Sequence, residues 1–341
     1  MMQRSFSWVL VFIFLTGCGR SAPEVRRYSK LGEFFGSVVK VDVCYRDEEE
    51  PRLQQALDEV WTRFADIHSR MSVYDPDSDI NKINRAYDEG VEVGADTYGL
   101  IREALEYHRI SQGVFDISVG PLIVLWKESG RKGTLPSAEE VGAARVMTGI
   151  DAVELLPDNR VRLRKTGVKI NIDSIGDGYA ADEAARILRS FGFENFLVDA
   201  SGELYAGGQS CQGRPWRVGV IDPNDTSRLV DVVELSDMAV STSGNYEHYY
   251  EIEGKRWSHI IDPATGYPSD DISSATVIAP TARFADFLST ALCVLDPAEG
   301  QKIVEDLGES YASMVIFGPP EGQAGMAMSR NYTGFRLQNN N

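Results

Sequence analysis

The chain has 341 residues, with 34 Lys and Arg against 51 Asp and Glu, a formal net charge of -17 and a pI near 4.7. With 43% hydrophobic and 25% charged residues its composition is globular, so disorder from low hydrophobicity is excluded, and the length allows one large or two medium domains. Nucleic acid is excluded on charge, because a polyphosphate requires a basic face and no Lys/Arg-rich run exists; any phosphate-bearing ligand needs a metal cation or a helix N-terminus to offset repulsion.

Arg4 precedes an apolar run from Trp8 to Leu15, then Thr16, Gly17 and Cys18. The run is well short of the ~20 apolar residues of a membrane span and has the layout of a secretory signal. Leu15-Thr16-Gly17-Cys18 resembles the bacterial lipobox, whose cysteine carries the lipid. The reading is a signal peptide over 1–17, a lipidated Cys18 with a polar tether over 18–32, and a folded domain over 33–337. The product is an exported lipoprotein, membrane-anchored and facing the periplasm or cell exterior. With Cys18 on lipid, Cys44, Cys211 and Cys293 remain, without Cys-x-x-Cys spacing. Neither a zinc site nor a disulfide framework is expected, which leaves room for one incidental pair.

Residues 35–45 alternate as a half-buried strand does, and Leu53, Ala56, Leu57, Val60, Trp61, Phe64 and Ile67 repeat at helical spacing over 51–70. A polar stretch spans 74–84, a helix 97–111, a loop 127–137 and a short helix 137–145. Strands are expected at 152–156, 161–164 and 168–172, and a long helix over 179–191. A dense β region follows at 196–199, 204–208, 216–222, 230–235 and 238–243, then a hairpin over 249–261 turning at Gly254-Lys255. A strand over 275–280, helices at 282–295 and 298–307, and strands at 311–317 and 325–336 complete the chain. Strands cluster between helices without strict βαβ alternation, which predicts an α+β fold.

The four histidines, His68, His108, His248 and His259, form no zinc motif, and Gly-x-Ser-x-Gly and Walker sequences are missing. Three segments offer oxygen chemistry instead. In 171–188, carboxylates and glycines sit at a helix start, where free N–H groups suit a phosphate; a plain tight turn capped by Asp173 or Ser174 accounts for the same residues. In 283–292, Asp286 and Thr290 are four apart and Ser289 three from Asp286, so a carboxylate and two hydroxyls share one helix face. These are hard donors suited to Mg²⁺, although an exposed Asp and a Thr bonded back into its helix would leave the same pattern. In 258–270, a His and an Asp flank an apolar pair before a Pro-x-Thr-Gly-x-Pro turn, which also reads as a strand end.

In this order the segments resemble the FAD:protein FMN transferase (ApbE) family. The matching stretches are FGSVV (35–39), SRMSVYDPDSDINKIN (69–84), GVFDISVGPLIVLW (113–126), NIDSIGDGYAADEAARIL (171–188), WRVGVIDP (216–223), AVSTSGNYE (239–247), HIIDPATGYP (259–268) and TVIAPTARFADFLSTAL (276–292). The resemblance implies a T-fold-like domain of mixed sheets and packed helices. It implies Mg²⁺-dependent transfer of FMN from FAD to a Thr or Ser hydroxyl of a membrane or exported electron-transfer protein, with release of AMP. Hydrolysis of FAD to FMN and AMP, and flavin binding without catalysis, are alternative uses of the same site. By position, the resemblance places the metal at Ser174, Asp286, Ser289 and Thr290. It places flavin contacts at Phe35, Tyr74, Val114, Phe115, Asp116, Asn171, Asp177 and Ile261, and makes His259 a candidate for proton transfer or phosphate holding. Ser289 stands where similar members carry Asp, Phe35 where they often carry Met, Asn171 where they often carry Asp, and Asp177 where many carry Lys.

Overall fold

Val39, Val41 and Val43 point to one side of a strand and are fully buried there, as their alternation predicts. In the computed structural model, which describes residues 24–34, 36–246, 248–318 and 325–338, that strand lies within an eight-stranded sheet. The chain begins with β1 (Arg26–Phe34), β2 (Ser37–Tyr45), α1 (Glu50–Met71), α2 (Asp79–Arg85), β3 (Val91–Glu92), α3 (Ala95–Ile110), α4 (Gly120–Lys132) and α5 (Ala138–Val146). It continues with β4 (Val153–Leu156), β5 (Arg160–Leu163), α6 (Asp173–Ser190), β6 (Phe196–Ala200), β7 (Glu203–Gly207), β8 (Trp216–Asp222), β9 (Asp225–Leu235) and β10 (Met238–Gly244). It closes with β11 (Tyr249–Ile252), β12 (Lys255–Ser258), β13 (Ile272–Ala279), α7 (Ala282–Leu292), α8 (Pro297–Asp306), β14 (Ala312–Phe317) and β15 (Gly325–Met328).

The large sheet runs β1-β2-β6-β7-β10-β13-β14-β15. Its named pairings are antiparallel, so the fold is α+β as expected. Helices α1, α6 and α7 cover one face through the main core, which includes Val39, Leu57, Phe64, Ile187, Val277 and Phe287. The β8–β9 ribbon covers the other through Trp216, Val233 and Leu235, packed on Val240, Ile278 and Met314. Covered on both faces, every residue of β13 is buried. Smaller sheets β3-β5-β4 and β11-β12 flank this body. Among the described residues no helix is long and apolar enough to cross a membrane.

Several expectations need correction. Part of the tether, from Arg26, is strand β1, which completes its backbone hydrogen bonds on β2 from Arg26↔Tyr45 to Phe34↔Ser37. The polar stretch 74–84 contains α2, started by Ser78, whose hydroxyl accepts from the Asn81 N–H at 3.0 Å. The loop expected from 127 is helix up to Lys132, where Gly133 ends it at φ 70°. Residues 168–172 make no strand, only an isolated bridge from Lys169 to Val119. The long helix starts at Asp173 rather than 179, so Asp177 lies inside it.

The incidental cysteine pair is realised. Cys44 on β2 is bonded to Cys211, in the connection between β7 and β8, with Cα atoms 5.4 Å apart. The two are 167 residues apart, so the bond removes much freedom from the unfolded chain. Replacing both by Ala is expected to lower the unfolding free energy by about 4 kcal/mol, measurable by urea titration with and without reductant.

Candidate active site

Helices α6 and α7 build the centre of the site. They can approach because residue 178 is glycine: a Cβ there would stand 2.6 Å from the Ala282 carbonyl oxygen. The close approach lets the Gly178 N–H donate to Asp286 Oδ2 at 3.2 Å. At the top of the contact, Asp182 of α6 caps α7, its carboxylate accepting the Ala282 and Arg283 N–H groups at 2.7 and 3.2 Å. Thr281, at the cap position itself, makes no such side-chain bond. Arg63 of α1 fixes the outer side of α6, pairing with Glu183 of that helix at 3.0 Å and with Asp96 of α3 at 2.7 Å.

Burial pushes the Asp182 carboxyl up to about 6, against the pull of its two N–H donors and Arg283. A carboxyl whose folded value lies above its ordinary 3.8 binds its proton more tightly when folded. Its contribution is therefore present at low pH and is lost as pH rises through about 6. Asp182→Asn is expected to flatten the stability profile between pH 4 and 6 relative to the unmodified chain. Asp182→Ala is expected to cost about 2 kcal/mol at neutral pH by leaving two helix N–H groups without an acceptor; thermal denaturation across pH reads both.

Asp286 is 4% exposed, and burial followed by the carboxylate of Asp177 holds its carboxyl well above the usual range. Asp177 is half-buried in the second turn of α6 and is pushed up to about 8, first by burial and then by Asp173. The Ser201 hydroxyl pulls the other way, from the turn between β6 and β7 where Ser201 takes a left-handed backbone at φ 64°. Asp173 reaches solvent yet is surrounded closely enough for burial to raise its carboxyl. Asn171 holds it: its side chain accepts the Asp173 N–H at 2.7 Å and donates to Asp173 Oδ2 at 3.0 Å. Ser174 is half-buried in the same first turn.

On α7, Thr290 lies one turn beyond Asp286, with its hydroxyl 3.3 Å from that of Ser243 on β10. Ser289, one residue before Thr290, is fully buried. Its hydroxyl donates to the Asp286 carbonyl at 2.9 Å and lies 2.7 and 3.1 Å from the Ser243 and Ser241 hydroxyls, contacts that tie α7 to β10.

The flavin-contact candidates divide into surface and core. Tyr74 is 74% exposed, beside Lys127 of α4. Val114 and Asp116 are half-buried, and Asp116 accepts the Ser118 N–H at 2.7 Å. Phe115 between them packs in the core against Phe287 and Tyr107, with its carbonyl bonded to His108 and its N–H to Ser111, so it positions its neighbours. Ile261 is likewise core, clustered with Leu122, Trp126 and Ile252. Phe35 and Cys18 lie outside the described residues.

His259 Nδ1 lies 2.8 Å from the His248 carbonyl oxygen. A carbonyl only accepts, so Nδ1 carries the proton and Nε2 presents a lone pair. Burial, with a smaller contribution from His248, lowers the imidazole to about 4, which keeps it neutral at ordinary pH. The turn after it is anchored where Ser269 Oγ donates to the Cys293 carbonyl, at the end of α7.

Sequence reasoning missed Ser201, Ser243, Asp182 and Lys127. The STSG run at 241–244 and the SG pair at 201–202 are visible as turn-rich hydroxyl sequences, but only the packing of α6 and α7 on the sheet brings them to Asp177 and Thr290. The segments that carry these residues fall within residues 35–315, which match the family model described as the ApbE family.

The chain belongs to the ApbE family. A curated relative, a FAD:protein FMN transferase of Klebsiella pneumoniae, is 32% identical over 308 residues, 87% of each chain. One from Escherichia coli K12 with the same name is 30% identical over 328 residues, covering 90% of this chain and 92% of its own. The solved ApbE protein of Thermotoga maritima superposes with a TM-score of 0.81 at 33% identity, covering 92% of this chain and all of its own. The flavin transferase ApbE of Vibrio cholerae gives 0.80 at 26%, with 91% and 99% covered.

The donor chemistry of the site can be tested against the cation suggested by the ApbE resemblance. Among the described residues no three His, Cys, Asp or Glu side chains converge to hold a metal unaided. That excludes a protein-only cage but suits Mg²⁺, which takes one or two carboxylates and leaves the remaining positions to water and substrate phosphate. A buried Asp286 beside Asp177 and Asp173 is a concentration of like charge that a divalent cation would relieve. The residues fit such an ion through Asp286 and Thr290.

Proposed function

We propose that this chain transfers FMN from FAD to a Thr or Ser hydroxyl of an exported or membrane electron-transfer protein, releasing AMP and depending on Mg²⁺. Flavin transfer to protein follows from family membership; the metal, the hydroxyl acceptor and AMP as leaving group are our reading of this site. The observation that carries it is the buried Asp286, one turn from Thr290 and packed against the acidic start of α6.

In the reaction the acceptor oxygen forms a bond to the phosphorus of the FMN half, and the bond from that phosphorus to the AMP oxygen breaks. AMP leaves with the electron pair and the hydroxyl proton passes to a base. His259 supplies the base at Nε2, with its tautomer held by the His248 carbonyl. Asp286 and Thr290 would hold the cation, which neutralises charge on phosphate oxygens when bound. Asn171 fixes the first turn of α6 by accepting the Asp173 N–H, and the positive end of the helix dipole there favours an anion. Tyr74 offers an exposed aromatic face for a flat ring system.

The protein acts outside the cytoplasm, lipidated at Cys18 and anchored to the membrane. This rests on the 15–18 lipobox resemblance and is supported by the Cys44–Cys211 bond, since disulfides persist in oxidising compartments. The test is to incubate the protein with FAD, Mg²⁺ and a Thr-bearing peptide from an exported electron-transfer protein, followed by mass spectrometry. Addition of the FMN mass to the peptide together with AMP supports the proposal. Free FMN with AMP would make the protein a hydrolase, and intact FAD would make it a flavin binder.

A further inference from the structure

We propose that Lys127 is the cation of this chain that meets the phosphate charge of the bound flavin nucleotide. The inference rests on the flavin reading above and assigns a role to a residue outside the candidate sites found in the sequence. The start of α6 carries Asp173 and Asp177 and packs against Asp286 of α7, so an anionic nucleotide docking there gains from a cation at its edge as well as from any divalent ion.

Lys127 is held where such charge is useful. It follows Trp126, which is fully buried and donates its indole N–H to the Gly266 carbonyl at 2.8 Å, so the backbone at 127 is fixed. Its Nζ reaches the Tyr74 hydroxyl at 3.2 Å and stands 4.5 Å from the centre of that ring. It also stands close enough to Asp173, at the start of α6, for its charge to act there. Among the described residues, Lys127 has no carboxylate within ion-pair distance, whereas Arg131 and Lys132 on the same helix both pair with Glu128. The ammonium is therefore exposed, engaged by Tyr74 but by no carboxylate, and next to an aromatic ring, a pairing suited to a flat ring carrying a phosphate tail.

The test compares FAD with riboflavin, which has the ring but no phosphate. Both are titrated against the full chain, Lys127→Met and Lys127→Arg by flavin fluorescence, without added metal. Lys127→Met is expected to weaken FAD binding about tenfold and riboflavin binding less than twofold, with Lys127→Arg close to the unmodified chain. The salt dependence of FAD binding should also shrink in Lys127→Met. Equal losses for both flavins would overturn the proposal and leave Lys127 as a prop for Tyr74, and unchanged FAD binding would overturn it outright. If the unmodified chain binds neither flavin, the flavin reading itself fails and this inference falls with it. Unchanged melting of both variants separates these outcomes from misfolding.

Discussion

Asp286→Asn is expected to abolish FMN transfer while making the metal-free protein more stable. The carboxyl is 4% exposed, and burial with Asp177 nearby makes its ionised form unfavourable. An amide of the same shape removes that like-charge burden, and a gain of about 1–2 kcal/mol follows, read as a raised melting temperature. The same change removes the one buried carboxylate among the candidate cation donors. Several kcal/mol of charge neutralisation on the reacting phosphate should go with it, a loss of about a thousandfold in rate. Mg²⁺ should raise the melting temperature of the unmodified chain and leave that of Asp286→Asn unchanged. A variant that transfers FMN at full rate would remove Asp286 from the cation site. Opposite movements of stability and activity distinguish a functional carboxylate from a structural one.

His259 should act as a base across an unusually wide range. Its imidazole is lowered to about 4, chiefly by burial, so it is unprotonated above that pH. The acid limb of kcat/KM is therefore expected near pH 4 rather than near 6.5, with no inflection at the ordinary histidine value. His259→Gln should lower kcat by about 10²–10³-fold with little change in KM for FAD, because the residue is assigned to proton removal rather than binding. A profile with its limb at 6.5 would show that the site is wetter than its geometry implies. An unchanged kcat in His259→Gln would move the base elsewhere.

The elements that were legible in the sequence share one property: their burial follows a single period. Leu53, Ala56, Leu57, Val60, Phe64 and Ile67 lie on one face of α1, and the runs that became β6, β7, β8 and β10 were found within a residue of their limits, whereas β9 begins at Asp225, ahead of the expected 230. Misjudged segments lack such a period. The start of α6 carries Asp173, Gly176, Asp177 and Gly178, poor helix formers that read as a turn, yet helix holds there because Gly178 lets α7 pack closely and Asn171 accepts the first helical N–H, that of Asp173. Strand β1 is polar and mostly exposed, and its hydrogen bonds come from a partner strand rather than from its own pattern. Within the site, Asp286 and Thr290 were legible as one helix face. The contacts of Ser289 with Ser241 and Ser243 were not, because those hydroxyls stand on a strand 48 and 46 residues earlier.

By itself, the sequence determined the α+β class and the family resemblance, since these depend on periodicity and motif order, which are properties of the chain read in one dimension. Only the tertiary structure decided that Cys44 meets Cys211, that Asp182 of α6 caps α7, and that Lys127 reaches Tyr74. These pairs are separated by 167, 100 and 53 residues. Contacts of that range are set by how the elements pack. The same holds for the acidity that opened the sequence analysis: net charge counts Asp173, Asp177 and Asp286 as three separate residues. Asp173 and Asp177 lie one turn apart on α6, and Asp286 is brought to them when α7 is pressed against Gly178.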